Sequence, residues 1–242
     1  MTKKVHDDNL ITSKQYIHNF ILNNILFVRN KKLILNDLNV ELSSNHFVLM
    51  TGQNGSGKST FLKVLSGLLK PDNFSITYQQ KASEAAQSKS KFWFSQKFFL
   101  RKHFCYLHQT PYLFSGTVYD NVAYGLMHKK LAKDEIAHKV NEALKVVALD
   151  HLSKRNSYAL SGGEKQRVAI ARSWVIKPAF MLLDEPFANM DKHSRHSTYD
   201  TINQLKEDNI GIVLTSHDPH CGELAFNRHL HLYQGKMNEN PI

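Results

Sequence analysis

The chain of 242 residues contains only two cysteines, Cys105 and Cys221, and nowhere an apolar run approaching membrane-spanning length. Two cysteines without metal-ligand spacing exclude a disulfide framework and suit a reducing compartment, where both are ordinary small side chains. The longest apolar stretches, Ala179 to Leu183 and Ile210 to Leu214, fall far short of the about 20 residues that a transmembrane helix needs. No bilayer-crossing segment is expected. Met1 to Leu10 mixes Lys3, Lys4, Asp7 and Asp8 with few apolar side chains, so it lacks the apolar centre of a secretory signal. A compact Lys/Arg block interleaved with aromatics is also missing. The net charge of +10 is compatible with nucleic acid, an anionic surface or phosphate ligands, but without such a block no nucleic-acid partner is expected. The fourteen histidines are mostly scattered, and His193/His196 and His229/His231 lack zinc spacing, so they are expected to be solvated surface residues.

What is present is the pattern of an α/β protein, long enough to bury a proper core. Residues 1 to 18 are polar and read as a lead-in. Phe20 to Val28 and Leu33 to Leu42 read as strands joined by the basic turn Arg29 to Lys32. Phe47 to Thr51 is a short buried-strand pattern running into a glycine-rich loop, and Ser59 to Leu69 has helical spacing with Pro71 as its stop. Residues 79 to 91 read as an exposed polar excursion, with structure resuming near Phe98 to Leu107. Asp134 to Ala148 and Glu164 to Val175 are amphipathic helix patterns. Phe180 to Leu183 and Ile210 to Thr215 are short apolar runs of the kind buried in parallel sheets, each ending at polar residues. Such strand ends line the usual crevice of α/β folds.

Gly52-Gln53-Asn54-Gly55-Ser56-Gly57-Lys58-Ser59 fits the phosphate-binding loop pattern and lies between a predicted strand and a predicted helix, as the mechanism requires. Glycines let the backbone curl until successive N–H groups face phosphate oxygens, and the following helix turns its positive end to the same anion. Lys58 adds a full charge. The Ser59 hydroxyl suits Mg²⁺, a hard cation, and Thr60 supports an inner phosphate. The run Phe180 to Leu183 ends in Asp184 and Glu185, two acids at the edge of a core, where cations must meet them. Asp184 would hold the metal through its shell, and Glu185 would point at the water that attacks the terminal phosphate.

Leu160-Ser161-Gly162-Gly163-Glu164-Lys165-Gln166-Arg167, upstream of that acidic strand, closely resembles the signature sequence of the ABC ATPase family. Physically, Ser161 caps a helix whose free N–H groups, with those of Gly162 and Gly163, form a second anion site. The resemblance runs from about Phe20 to about Lys236 and implies a phosphate-loop NTPase core with a mainly parallel sheet, an N-terminal antiparallel β subdomain, and a helical subdomain inserted at about 110–165 of a single domain spanning 19–242. It implies binding of ATP with Mg²⁺ between two protomers packed head to tail, the phosphate loop of one facing Ser161, Gly162, Gly163 and Glu164 of the other. Gln109 stands at the family's Q-loop spacing, where it would touch Mg²⁺ or the attacking water, and Asp191 at its D-loop. His217, in Thr215-Ser216-His217-Asp218, stands at the switch position facing the terminal phosphate.

Two departures stand out. The aromatic residue on which the family stacks adenine is contested here by Phe27 and Arg29, and counting back from Leu35 favours Arg29. The D-loop reads Ala188-Asn189-Met190-Asp191, with Asn and Met where small residues and Leu are commoner. The segment Thr110-Pro111-Tyr112-Leu113-Phe114 stands where the family docks its transmembrane subunits. Altogether the resemblance implies an ATP-hydrolysing subunit on the cytoplasmic face of the membrane, paired as a homodimer, with permease subunits as partners and, through them, an extracytoplasmic substrate-binding protein. The runs Gly116 to Val122 and Asp184 to Phe187 look more like bacterial import subunits, particularly those for oxyanions such as tungstate, molybdate or phosphate. An exporter or lipoprotein-extracting subunit, and a soluble ABC protein without membrane partners, stay open as alternatives.

Overall fold

Residues 17–81, 93–217 and 224–240 are described in the computed structural model of the chain. The stretch 1–16, most of the expected excursion at 79–91, Asp218 and Cys221 lie outside the described residues. Strand β1 (Ile17–Arg29) pairs antiparallel with β2 (Lys32–Ser43) around a turn in which Asn30 and Lys31 take positive φ. Phe20 and Leu22 alternate inward, and a register shift at Asn24, itself at φ 55°, returns Ile25 to the same buried side. One extra residue in a strand does this by breaking the two-residue period. Strand β3 (Phe47–Thr51) opens a second sheet and feeds the glycine-rich loop, after which α1 (Lys58–Leu65) begins. Strand β4 (Asn73–Lys81) then returns to the first sheet, which has the order β2-β1-β4.

Helix α2 (Trp93–His103) leads into β5 (Phe104–Leu107), and α3 (Val118–Ala123), α4 (Lys133–Val146) and α5 (Gly162–Trp174) follow before β6 (Phe180–Asp184). Helix α6 (Lys192–Leu205), β7 (Gly211–Thr215), β8 (Arg228–Tyr233) and β9 (Lys236–Asn240) complete the described chain. The second sheet has six strands in the order β5-β6-β7-β3-β8-β9, parallel except for β9. Successive residues of its strands face two different cores. Val48, Met50, Phe180, Leu182 and Val213 pack against the first sheet and α1, while Phe47, Met181, Leu183, Ile212 and Leu214 pack against the helices α3 to α6. Burial on both faces is why these strands read as unbroken apolar runs.

Several expectations need correction. Helix α1 ends at Leu65, well before Pro71: the N–H of Gly67 bonds the Val64 carbonyl and Gly67 takes φ 65°, a left-handed turn that glycine makes without strain. Gln79 to Lys81 are not an excursion but the end of β4, where they pair with Asn19, His18 and Ile17. The first strand accordingly starts inside the expected polar lead-in. His229 and His231 are not solvated: both lie half-buried on β8, and His229 Nε2 and His231 Nδ1 meet the Thr51 hydroxyl at 2.8 and 2.9 Å.

Candidate active site

The loop after β3 starts α1 from Gly57, a residue at φ 108° whose side a Cβ would bring to 3.0 Å from Leu35. Only glycine meets both demands, and the result is a tight cradle at a helix N-terminus. Gln53, Asn54 and Gly55 are exposed along its rim, Gly52 is buried beneath, and Thr60 is half-buried in the first turn of the helix. The Lys58 ammonium is turned into the loop, donating to the carbonyl of Gly52 at 2.8 Å and of Gln53 at 3.2 Å. Burial pulls its pKa below the usual lysine value, against the opposing pull of Glu185 and then Asp184. The buried Ser56 hydroxyl oxygen has no hydrogen-bond partner in the structure. An ammonium held in the loop by neutral carbonyl dipoles and an orphaned hydroxyl beside it both suit a phosphate tail.

Asp184 closes β6 in the core, 5% exposed. Its Oδ1 accepts from the Ser59 hydroxyl at 3.0 Å and the Thr215 hydroxyl at 2.9 Å, and its Oδ2 accepts from Tyr106 at 2.7 Å. Ser59 and Asp184 thus place two hard oxygens side by side, the donor set that suits Mg²⁺. Burial, then the bond to Asp184, push the Tyr106 phenol above its ordinary pKa, so it remains a donor. Glu185 takes φ 47°, outside the ordinary range for a side-chain-bearing residue, and its N–H is held by the Thr215 hydroxyl at 2.9 Å and the Thr215 carbonyl at 3.2 Å. Backbone held in this region is strained and persists where surroundings enforce it. The Glu185 carboxylate lies 3.4 Å from His217 Nε2 and 3.4 Å from Gln109 Nε2. His217 Nε2 in turn meets the Lys58 ammonium at 3.0 Å.

Lys58, Ser59, Gln109, Asp184, Glu185 and His217 therefore converge at the carboxyl ends of β3, β5, β6 and β7. The signature residues do not join them. Ser161 caps α5, accepting from the Glu164 N–H at 3.3 Å while its own N–H donates to Glu164 at 2.7 Å, a reciprocal pair. A Cβ on Gly163 would stand 2.5 Å from that of Ser194, so glycine lets α5 approach the start of α6. Asp191 caps α6 through the N–H and hydroxyl of Ser194. Ser161 and Gly162 stay exposed, and among the described residues no hydrogen bond or ion pair joins Ser161 to Glu164 with the phosphate loop. Phe27 is partly buried against the core beneath the first sheet, and Arg29 is exposed at the end of β1. Neither lines the cleft of about 280 Å³ beside Gln53 and Asn54, whose exposed aromatic is Tyr233. Sequence reasoning missed Thr215 and Tyr106 as parts of this site; a hydroxyl inside an otherwise apolar strand was the available signal.

The model of the ABC transporter family matches residues 35–188 of the chain. A putative ABC transporter ATP-binding protein of Clostridium acetobutylicum is 34% identical over 86% of this chain and 86% of its own length. The molybdate/tungstate import ATP-binding protein WtpC of Pyrococcus abyssi is 35% identical over 68% of this chain and 45% of its own, and the Fe(3+) ions import ATP-binding protein FbpC of Vibrio cholerae is 33% identical over 77% and 50%. The chain spans about half the length of these two. Among solved structures, cbiO1 of Clostridium perfringens, part of the ABC transporter complex cbiONQ, superposes with a TM-score of 0.77 at 28% identity, over 90% of this chain and 86% of that one. A dimeric ATP-binding cassette in a post-hydrolysis state with ADP and Pi superposes with a TM-score of 0.74, over 91% and 97%, and at 24% identity it speaks for the fold alone.

Proposed function

Because the chain belongs to the ABC transporter family, and so binds and hydrolyses ATP with Mg²⁺, we propose that it drives import through membrane-spanning permease subunits as one of a head-to-tail pair. No helix among the described residues is long and apolar enough to cross a membrane, and in this reading the channel belongs to the permease subunits. The phosphate tail lies in the loop 52–59, with Lys58 exchanging its carbonyl partners for phosphate oxygens. Mg²⁺, once bound, neutralises charge on the phosphates, and Ser59, Asp184 and Gln109 are the residues that would hold it. Glu185 orients and deprotonates the attacking water, and His217 donates to the terminal phosphate. The observation that carries these roles is the convergence of Lys58, His217, Glu185 and Gln109 within 3.0 to 3.4 Å of one another in chain-linked pairs.

Pairing of two protomers follows from what one chain leaves open. The signature helix N-terminus is exposed at Ser161 and Gly162 and turned to no phosphate of its own loop, so a second copy supplies the anion it faces. The cassette of residues about 110–165, carrying α3 and α4, is the helical subdomain in this reading, and the permease docks beside it. A cleft of about 310 Å³ between Tyr112, Pro111 and Arg172 supports that docking, and the Tyr112 ring is 73% exposed at its edge. Such an exposed aromatic suits a partner groove. The direction of transport rests on the import relatives. An oxyanion is the candidate cargo, supported by the molybdate/tungstate relative, and ferric iron is the competing one.

The test is Glu185→Gln. Loss of the general base should lower ATP turnover by about 10² to 10⁴ while ATP and Mg²⁺ still bind and drive the protein into a dimer on a sizing column with light scattering. Turnover within a factor of about two of the parent removes Glu185 from its role, and a monomer at saturating ATP removes the pairing.

A further inference from the structure

The two oxygens of Asp184 are held from opposite sides. Ser59 and Thr215, which come from α1 and β7, both donate to Oδ1. The Tyr106 hydroxyl, the donor recorded at Oδ2, comes from β5, the edge strand on the other flank of β6. With Oδ1 shared by donors from α1 and β7, rotation of the carboxylate about its Cβ–Cγ bond is limited by the bond at Oδ2 from the opposite flank of β6. Tyr106 is well placed to be rigid: β5 pairs with β6 with Tyr106 opposite Leu182, and the Lys63 ammonium lies 5.9 Å from the phenol ring centroid. The chain leaves β5 at Leu107 and reaches Gln109 two residues later.

We propose that Tyr106 is a positioning residue for the metal step: its hydroxyl fixes the plane of the Asp184 carboxylate and ties the Q-loop strand to the acid strand. The proposal rests on Asp184 being the acid that meets the metal's water shell. Groups that orient a metal-holding carboxylate contribute to affinity without touching the ion, and their removal typically weakens metal binding by about 10- to 100-fold. The phenol is a positioning residue in this scheme and not a catalytic one, since it acts through its bond to Asp184. Its effect passes through Asp184 alone.

Tyr106→Phe keeps the ring and its packing and removes the one hydroxyl. Binding of a trinitrophenyl-ATP probe, titrated with Mg²⁺ and also measured in EDTA, reads metal affinity without hydrolysis. The Mg²⁺ concentration at half effect should rise by about tenfold or more, with probe affinity in EDTA close to the parent's and the thermal midpoint lowered, since one bond to a buried carboxylate is lost. In the ATPase assay kcat should recover as Mg²⁺ is raised, whereas KM for ATP at saturating Mg²⁺ should stay put. An unchanged Mg²⁺ requirement in Tyr106→Phe overturns the proposal and leaves the phenol as packing. Asp184→Asn serves as the second arm: if it too leaves the Mg²⁺ requirement unchanged, the metal reading of Asp184 has failed, which is a different failure from that of Tyr106.

Discussion

Thr215→Val is the substitution that most directly questions how the two acids are held. The side chain is fully buried, and its hydroxyl works in both directions, donating to Asp184 Oδ1 at 2.9 Å and accepting from the Glu185 N–H at 2.9 Å. Valine has nearly the same shape, so no cavity opens. What is lost is one bond to a buried carboxylate, about 1.5 to 3 kcal/mol, and part of one amide bond, about 0.5 to 1 kcal/mol since the Thr215 carbonyl still accepts. The sum is about 2 to 4 kcal/mol. Urea unfolding without nucleotide should show a lower midpoint with an unchanged slope. Thr215→Ser, which restores the hydroxyl and deletes one methyl, should lie between, at a cost of about 1 kcal/mol. Turnover should fall in the valine variant more than ATP affinity does, because Glu185 is held at φ 47° by this threonine. A valine variant within about 0.5 kcal/mol of the parent, or a serine variant less stable than the valine one, would refute the reasoning.

Two further changes probe the second anion surface. Gly163→Ala should destabilise by about 1 to 3 kcal/mol despite alanine's better helix propensity, because the new methyl stands 2.5 Å from Ser194 Cβ; a raised thermal midpoint contradicts this. The Ser161 N–H holds the Glu164 carboxyl below its ordinary pKa, so the cap contributes stability above the ordinary carboxylate range and loses it as pH falls through the depressed value. The stability gap between parent and Glu164→Gln, followed by urea unfolding at stepped pH, should therefore be widest near neutrality and close in acid, and a gap independent of pH removes the capping account.

The parallel strands were legible because burial on both faces leaves an uninterrupted apolar run, as in Phe180 to Leu183. Helix α6 was not. Its inward face is built from Thr198, Tyr199, Thr201, Ile202 and Leu205, and three of those five carry hydroxyls, so no apolar stripe of helical period stands out. Strand β8 hid in the same way, its outward alternation carried by His229 and His231, which satisfy the Thr51 hydroxyl inside the structure. Composition assigns histidine to the surface, and only the register of β8 against β3 brings both rings to one threonine.

The site divides along the same line. The phosphate loop and the signature are contiguous, since each anion surface is made by the backbone of one turn entering one helix, and a short motif contains the whole device. The acids are different. Asp184 and Glu185 are adjacent in sequence, yet an extended chain would send them to opposite faces of the sheet. Here β6 stops at Asp184, whose carboxylate is taken inward by hydroxyls from three other elements, and the left-handed turn at Glu185 keeps the next carboxylate at the strand end beside His217 and Gln109. The pair of letters announces two acids; their division into a buried, fully hydrogen-bonded carboxylate and a half-exposed one beside an imidazole is made by Ser59, Tyr106 and Thr215, residues up to 125 positions away from Asp184. Tertiary partners of that kind leave no local pattern, which is why the chemistry of this site could be read from motifs while the means of holding it could not.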